Sequence, residues 1–179
     1  TGTIALTSDI PEGQSSGTTT GDMQYWNGTT WVVVAATPNE GATLQMIAGI
    51  PTWVGGTPPP AVGDFRYGGV VFWVNPSDNT HGLVCAIEDQ SSGIRWYNGN
   101  YTNTGARSSA IGAGSANTAK IIASQGATET AYAAGLARAY NGGGYTDWFL
   151  PSRFELNQMH KNKATINTTA TANSGSNFT

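Results

Sequence analysis

Only 11% of the 179 residues are Asp, Glu, Lys or Arg, while 24 are glycine and Thr, Ser and Asn abound, so solubility rests on uncharged polar groups. A net charge of -3 gives no basic footprint for nucleic acid, and no run approaches the roughly 18 apolar residues of a membrane helix. Such a surface loses little charge hydration on contact, which suits extracellular fibres and adhesive modules.

No signal-peptide pattern opens the chain, residue 1 is Thr rather than Met, and residues 3–6 read as a strand already under way. The sequence is therefore expected to be a piece of a longer polypeptide. Residues 1–60 set Gly/Ser/Thr/Pro spacers (11–21 and 55–60) between very short apolar segments. Tyr25 and Trp26, the pair Asn27-Gly28, and residues 31–34 fit a β-hairpin closed by a tight primed turn. A second pair of short strands is expected around Gly49. The motif GDMQYW at Gly21 returns as GDFRYG at Gly63, a degenerate repeat of about 40 residues. Strands this short bury too little surface alone, so this region is read as a β-rich shaft that needs partners.

Pro58, Pro59 and Pro60 form a stiff spacer, and the boundary is placed there, between 1–60 and 61–179. Residues 69–74 (GVVFWV) and 82–87 (GLVCAI) make a buried hairpin across a polar turn at 75–80, and residues 94–97 (IRWY) are expected as a third strand. Cys85, the single cysteine, can form no intrachain disulfide and reads as a buried, inert thiol. Asn117 is the expected N-cap of a helix over 118–124 with Ala119, Ile122 and Ala123 inward. Tyr132, Leu136 and Tyr140 form the stripe of another helix over 129–140, ended by Gly142, Gly143 and Gly144.

The segment GYTDWFLPSRFEL, residues 144–156, joins three signals. Residues 148–150 read as a strand and Pro151 as its stop. Ser152 and Glu155 read as a capping box that starts a helix at Arg153, whose apolar face is Phe154, Leu156 and Met159, with Lys161 and Lys163 near its carboxyl end. After Lys163 the chain turns polar and aperiodic, and loose order is expected there.

Glu88, Asp89, Gln90 and Ser91 are the densest group of oxygen donors, but calcium takes six to eight oxygens and no loop here has the spacing of a calcium site; a hydrogen-bonded turn is the expectation. His81 and His160 are isolated, with no HExxH pattern, and no GxSxG elbow accompanies the serines. No metal, cofactor or catalytic residue is therefore assigned, and no enzyme activity is expected. Trp96, Tyr97, Asn98, Tyr101 and Asn103 place aromatic rings among amides, a combination suited to sugar faces and hydroxyls or to a protein epitope. The other reading of these residues is internal packing of Trp96 and Tyr97 beneath a solvated loop.

In order, GGVVFWV, HGLVCAIEDQSSGIRWYNG, ANTAKIIASQ, YAAGLARAY and GYTDWFLPSRFELN resemble the Fibrobacter-type major paralogous domain, related to the C-terminal domain of collagen-like bacterial adhesins. The likeness spans about residues 63–162. It implies an α+β, C-type lectin-like head of the kind shared with formylglycine-generating enzymes, in which a W-x-L-P-S/T-x-x-E segment runs from strand into helix. Members usually continue into a serine-rich segment and sheet-closing strands that carry much of the ligand face, so the head is expected to be incomplete at its C-terminus. Ala137 and Arg138 stand where relatives often hold a second cysteine. Residues 1–60 resemble the repetitive shafts of phage tail fibres. Together the likenesses imply an extracellular fibre segment, on a cell surface or a virion, that self-associates as a homotrimer and binds a surface glycan or protein receptor. A purely structural fibre or surface-assembly module is the alternative.

Overall fold

The computed structural model describes residues 17–37, 39–126 and 131–178, and it divides the chain into two compact units, Thr1–Pro59 and Pro60–Thr179. Among the described residues the fold is mixed α+β: small antiparallel sheets and four α-helices. The expected strand at 3–6 and the expected helix start at Glu129 lie outside the described residues.

In the first unit, β1 (Met23–Trp26) pairs with β2 (Trp31–Val34), and β3 (Thr43–Ile47) pairs with β4 (Ile50–Val54). The first hairpin forms as expected but its turn does not. Only Gly28 has positive φ there, and the Asn27 side chain instead accepts from the N–H groups of Thr29 and Thr30, closing a wider loop. The turn with positive φ at both central residues is Ala48-Gly49, between β3 and β4, with φ of 51° and 82°. The bond from Trp53 Nε1 to the Ala35 carbonyl, 3.0 Å, ties the second hairpin to the end of the first.

The repeat has a shared local geometry. At Gly21-Asp22 and again at Gly63-Asp64 the glycine has positive φ, the Asp N–H donates to the carbonyl three residues back, and the carboxylate accepts from that same residue's N–H. The copies then diverge. The first runs on as β1, whereas the second gives only β5 (Phe65–Arg66) before Tyr67-Gly68 turns the chain.

The second unit is built on the sheet β5–β6–β7, with β6 (Gly69–Val74) central and β7 (Gly82–Cys85) at one edge. The third strand is thus β5; residues 94–97, expected in that role, form an irregular segment whose consecutive rings, Trp96 and Tyr97, cluster together instead of alternating across a pleat. Gly68 approaches Gly143 so closely that a Cβ on it would lie 2.5 Å from the Gly143 Cα, so both positions need glycine. Val70, Phe72, Cys85 and Ile166 form the core, flanked by Trp73, Leu83, Ile87, Met159 and Phe178.

Helices α1 (Gly114–Gln125) and α2 (Ala133–Ala139) pack on each other, while α3 (Arg153–Lys161) and α4 (Lys163–Ala172) pack on β6. Helix α1 starts earlier than expected, and Asn117 is not its cap but donates to the Ser108 carbonyl. Its buried residues are Gly114, Thr118 and Gln125, while Ala119 and Ala123 are exposed: a polar stripe with hydrogen-bond partners displaces the expected apolar one. In α2 the expected stripe shortens to one helical residue, Leu136, since Tyr132 and Tyr140 stand at its two caps.

The capping box at Ser152 is present. Glu155 N–H donates to Ser152 Oγ at 3.4 Å and Ser152 N–H donates back to Glu155 Oε2. Residues 148–150 ahead of it form no ladder with any described strand, and the Leu150 N–H donates to Thr118 Oγ1. Phe154 and Leu156 are about half exposed rather than inward; the buried residue of α3 is Glu155, whose Oε1 accepts from the N–H groups of Gly112 and Gly114. Lys163 begins α4 instead of ending α3, and the segment expected to be loose is helical because Ile166 and Ala170, one turn apart, are both buried.

Candidate functional site

The backbone of 94–105 has few apolar side chains to bury, so it needs an outside anchor, and Gln125 supplies it. This residue is buried at the last turn of α1, on the same face as Thr118 two turns earlier. Its Oε1 accepts from the Asn98 N–H at 2.9 Å, and its Nε2 donates to Thr102 Oγ1 at 2.6 Å and to the Asn100 carbonyl at 3.3 Å. Asn98 Nδ2 returns a bond to the Gln125 carbonyl. Both polar ends of a buried amide are thereby satisfied, which makes the loop conformation specific.

On this anchored loop the rings of Trp96, Tyr97 and Tyr101 come together. Tyr97 and Tyr101 stack with centroids 4.7 Å apart and planes 13° apart, and Trp96 lies 4.8 Å from Tyr97 and 5.8 Å from Tyr101. Trp96 is 61% exposed and Tyr101 77% exposed, while Tyr97 is half-buried between them. Large aromatics left this open, yet held in one geometry, form a patch of exposed apolar surface, not a core. The Arg95 guanidinium sits 5.9 Å from the Tyr97 ring centre, a cation–π distance, and the Arg95 carbonyl accepts from Ala133 N–H at the start of α2.

The five residues singled out from sequence thus divide. Trp96, Tyr97 and Tyr101 form the platform. Asn98 is a structural link to α1 and also accepts from the Asn100 N–H, so its polar atoms are engaged. Asn103 is exposed, and its Oδ1 accepts from the Gly105 N–H at 3.1 Å. Gln125 and Arg95 were not singled out. The signal for Gln125 is a polar residue seven positions after Thr118, at helical spacing, on a face that has to be inward.

The acidic group at 88–91 forms a local turn, in which Gln90 Nε2 donates to the Glu88 carbonyl and Gly93 N–H to Ser91 Oγ. Tyr140 donates to Glu88 Oε1 at 3.4 Å, and its phenol is pushed above the usual range by burial and then by the Glu88 charge. Among the described residues no group of three or more His, Cys, Asp or Glu side chains is placed to hold a metal ion. His81 Nδ1 lies 3.1 Å from Asp78 Oδ2 in an exposed turn, and His160 is exposed on α3. Cys85 donates to the Val70 carbonyl, and burial pushes its thiol up to about 11, far from a reactive thiolate. Among the described residues no helix is long and apolar enough to cross a membrane.

Compared with family models, with curated proteins and with solved structures, the chain finds no match in any of the three.

Proposed function

We propose that this chain is the adhesive or receptor-binding part of an extracellular fibre, on a bacterial surface or a phage tail, and that its second unit is a C-type lectin-like head. The observation that carries the reading is the exposed aromatic platform of Trp96, Tyr97 and Tyr101 held by buried Gln125. An exposed ring presents a negative π face to the weakly positive C–H face of a sugar, and Asn103 adds an amide donor for hydroxyls. The lectin-like assignment draws support from the three-stranded sheet with helices packed against it, and from the segment that passes through Pro151 and the extended Ser152 into the capped helix α3. The role is binding, not catalysis.

The shaft part of the reading rests on the first unit. All five residues of β3 are exposed, with Met46 at 66%, and Ile47, Ile50 and Trp26 are each at least half exposed. Burying a large apolar side chain contributes roughly 2 to 3 kcal/mol, whereas ordering each residue costs roughly 1 to 2, so these hairpins gain most from neighbours that cover their faces. A homotrimer supplies them by closed symmetry. The same exposed strands favour the second reading, a structural assembly module that binds no ligand.

A glycan array probed with the chain and with its Trp96→Ala and Tyr101→Ala variants separates the two. Binding to a restricted set of glycans, lost in both variants, supports the head as a receptor-binding module. No glycan bound, together with ordered polymerisation, supports the structural reading.

A further inference from the structure

At an edge of the sheet, β7 lines a cavity of about 410 Å³ together with residues 147–151. The pairing pattern shows which backbone groups face it. Val71, in β6, spends its N–H on the Asp64 carbonyl and its C=O on the Gly63 N–H, both on the β5 side. Its partner across β7 is Val84, so Val71 and Val84 form a pair without mutual hydrogen bonds. The Val84 N–H and C=O therefore point away from β6, to the open edge, and Val84 lines the cavity. Residues 148–150 belong to no ladder among the described residues, and they line the same cavity. Among the described residues the space thus lies beside a strand edge with no ladder partner.

Charge selects what fits. Glu88, Asp89 and Asp147 line the cavity, and among the described residues no Lys, Arg or His does. Among the described residues none of these three acids is in an ion pair. A second copy would bring its own net charge of -3 to these acids, whereas a basic segment complements them.

We propose that this slot is a second binding site, for an extended basic peptide of a partner protein. The peptide adds a strand alongside β7, exchanging backbone hydrogen bonds with Val84, placing an apolar side chain against Phe72 and Leu83, and pointing Lys or Arg toward Glu88, Asp89 and Asp147. Strand addition of this kind takes its affinity from main-chain bonds and its specificity from alternate side chains. The site is separate from the aromatic platform and does not depend on a glycan being bound there.

The test uses the full chain and two blocked, fluorescent peptides of about five residues, the length that spans β7 at roughly 3.3 Å per residue, one alternating valine with lysine and the other valine with glutamate. The lysine peptide is expected to bind saturably, at least about tenfold more tightly than the glutamate peptide, and to slow amide exchange at Val84 by about tenfold or more. The Glu88→Gln, Asp89→Asn and Asp147→Asn variants, all at exposed positions, weaken the lysine peptide and narrow its advantage over the glutamate peptide. Methylating the central backbone nitrogen of the lysine peptide abolishes binding. Equal binding of the two peptides, or binding indifferent to that methylation, overturns the proposal. So does a Val84 amide already protected without peptide; sedimentation then distinguishes a second copy in the slot from a segment of the same polypeptide.

Discussion

At Asp78 the carboxylate accepts from the N–H groups of Thr80 and His81, at 2.8 and 3.1 Å, in the turn that joins β6 to β7. These bonds, with the neighbouring His81, hold its pKa at about 2, below the ordinary 3.8. A carboxyl whose folded pKa is depressed contributes stability that is complete above its ordinary value and is lost as pH falls through the folded one. Amide signals of Thr80 and His81 are therefore expected to hold steady above pH 4 and to titrate with a midpoint of about 2. In Asp78→Asn that transition disappears; a midpoint near the ordinary carboxylate value would show that the turn is not formed in solution. Gln125 offers a second test at this scale. Gln125→Ala leaves the Asn98 N–H without its buried acceptor, a loss of about 1 to 3 kcal/mol, and frees the ring cluster. The expected readout is a lower unfolding midpoint together with a red-shifted tryptophan emission; an unchanged spectrum would mean that the platform does not rest on Gln125.

Elements whose signals are local were legible in the sequence, and those that depend on distant partners were not. The capping box of α3 needs only Ser152 and Glu155, and it is present as read. The helical stripe of α1 was misplaced because its buried residues are polar: Thr118 and Gln125 face inward to serve Leu150 and Asn98, segments that no periodicity in α1 reveals. Residues 148–150 have strand composition but pair with no strand among the described residues, and α4 has weak helix formers held by the buried Ile166 and Ala170. In the platform, the aromatic residues could be read and their anchor could not. Two substitutions test the elements. Ser152 Oγ also donates to the Ala110 carbonyl at 2.8 Å, so Ser152→Ala is expected to cost about 1 to 2 kcal/mol in denaturant unfolding, with glycan binding unchanged at temperatures where the variant is folded. Ala48 has φ of 51° in the turn between β3 and β4, a conformation that asparagine tolerates better. Ala48→Asn is expected to stabilise that hairpin by about 0.5 to 1 kcal/mol, and a lower midpoint would show that the turn is not of this type.

For the whole molecule the proposal joins two claims, assembly through the first unit and ligand binding through the second. Sedimentation at micromolar concentration tests the first: a homotrimer is expected, dissociating when Met46 and Ile47, both at least half exposed, are changed to Ser, whereas a folded monomer would remove the shaft from the account. The second is the central claim, and the indole N–H spectrum of the ¹⁵N-labelled chain tests it most directly, because the six tryptophans are distributed over both units and only Trp96 belongs to the platform. Titration with an oligosaccharide selected on the array is expected to shift the Trp96 indole signal saturably and to leave the other five in place. A titration that moves Trp148, on the wall of the other cavity, or that leaves Trp96 unmoved while binding occurs, would contradict the account.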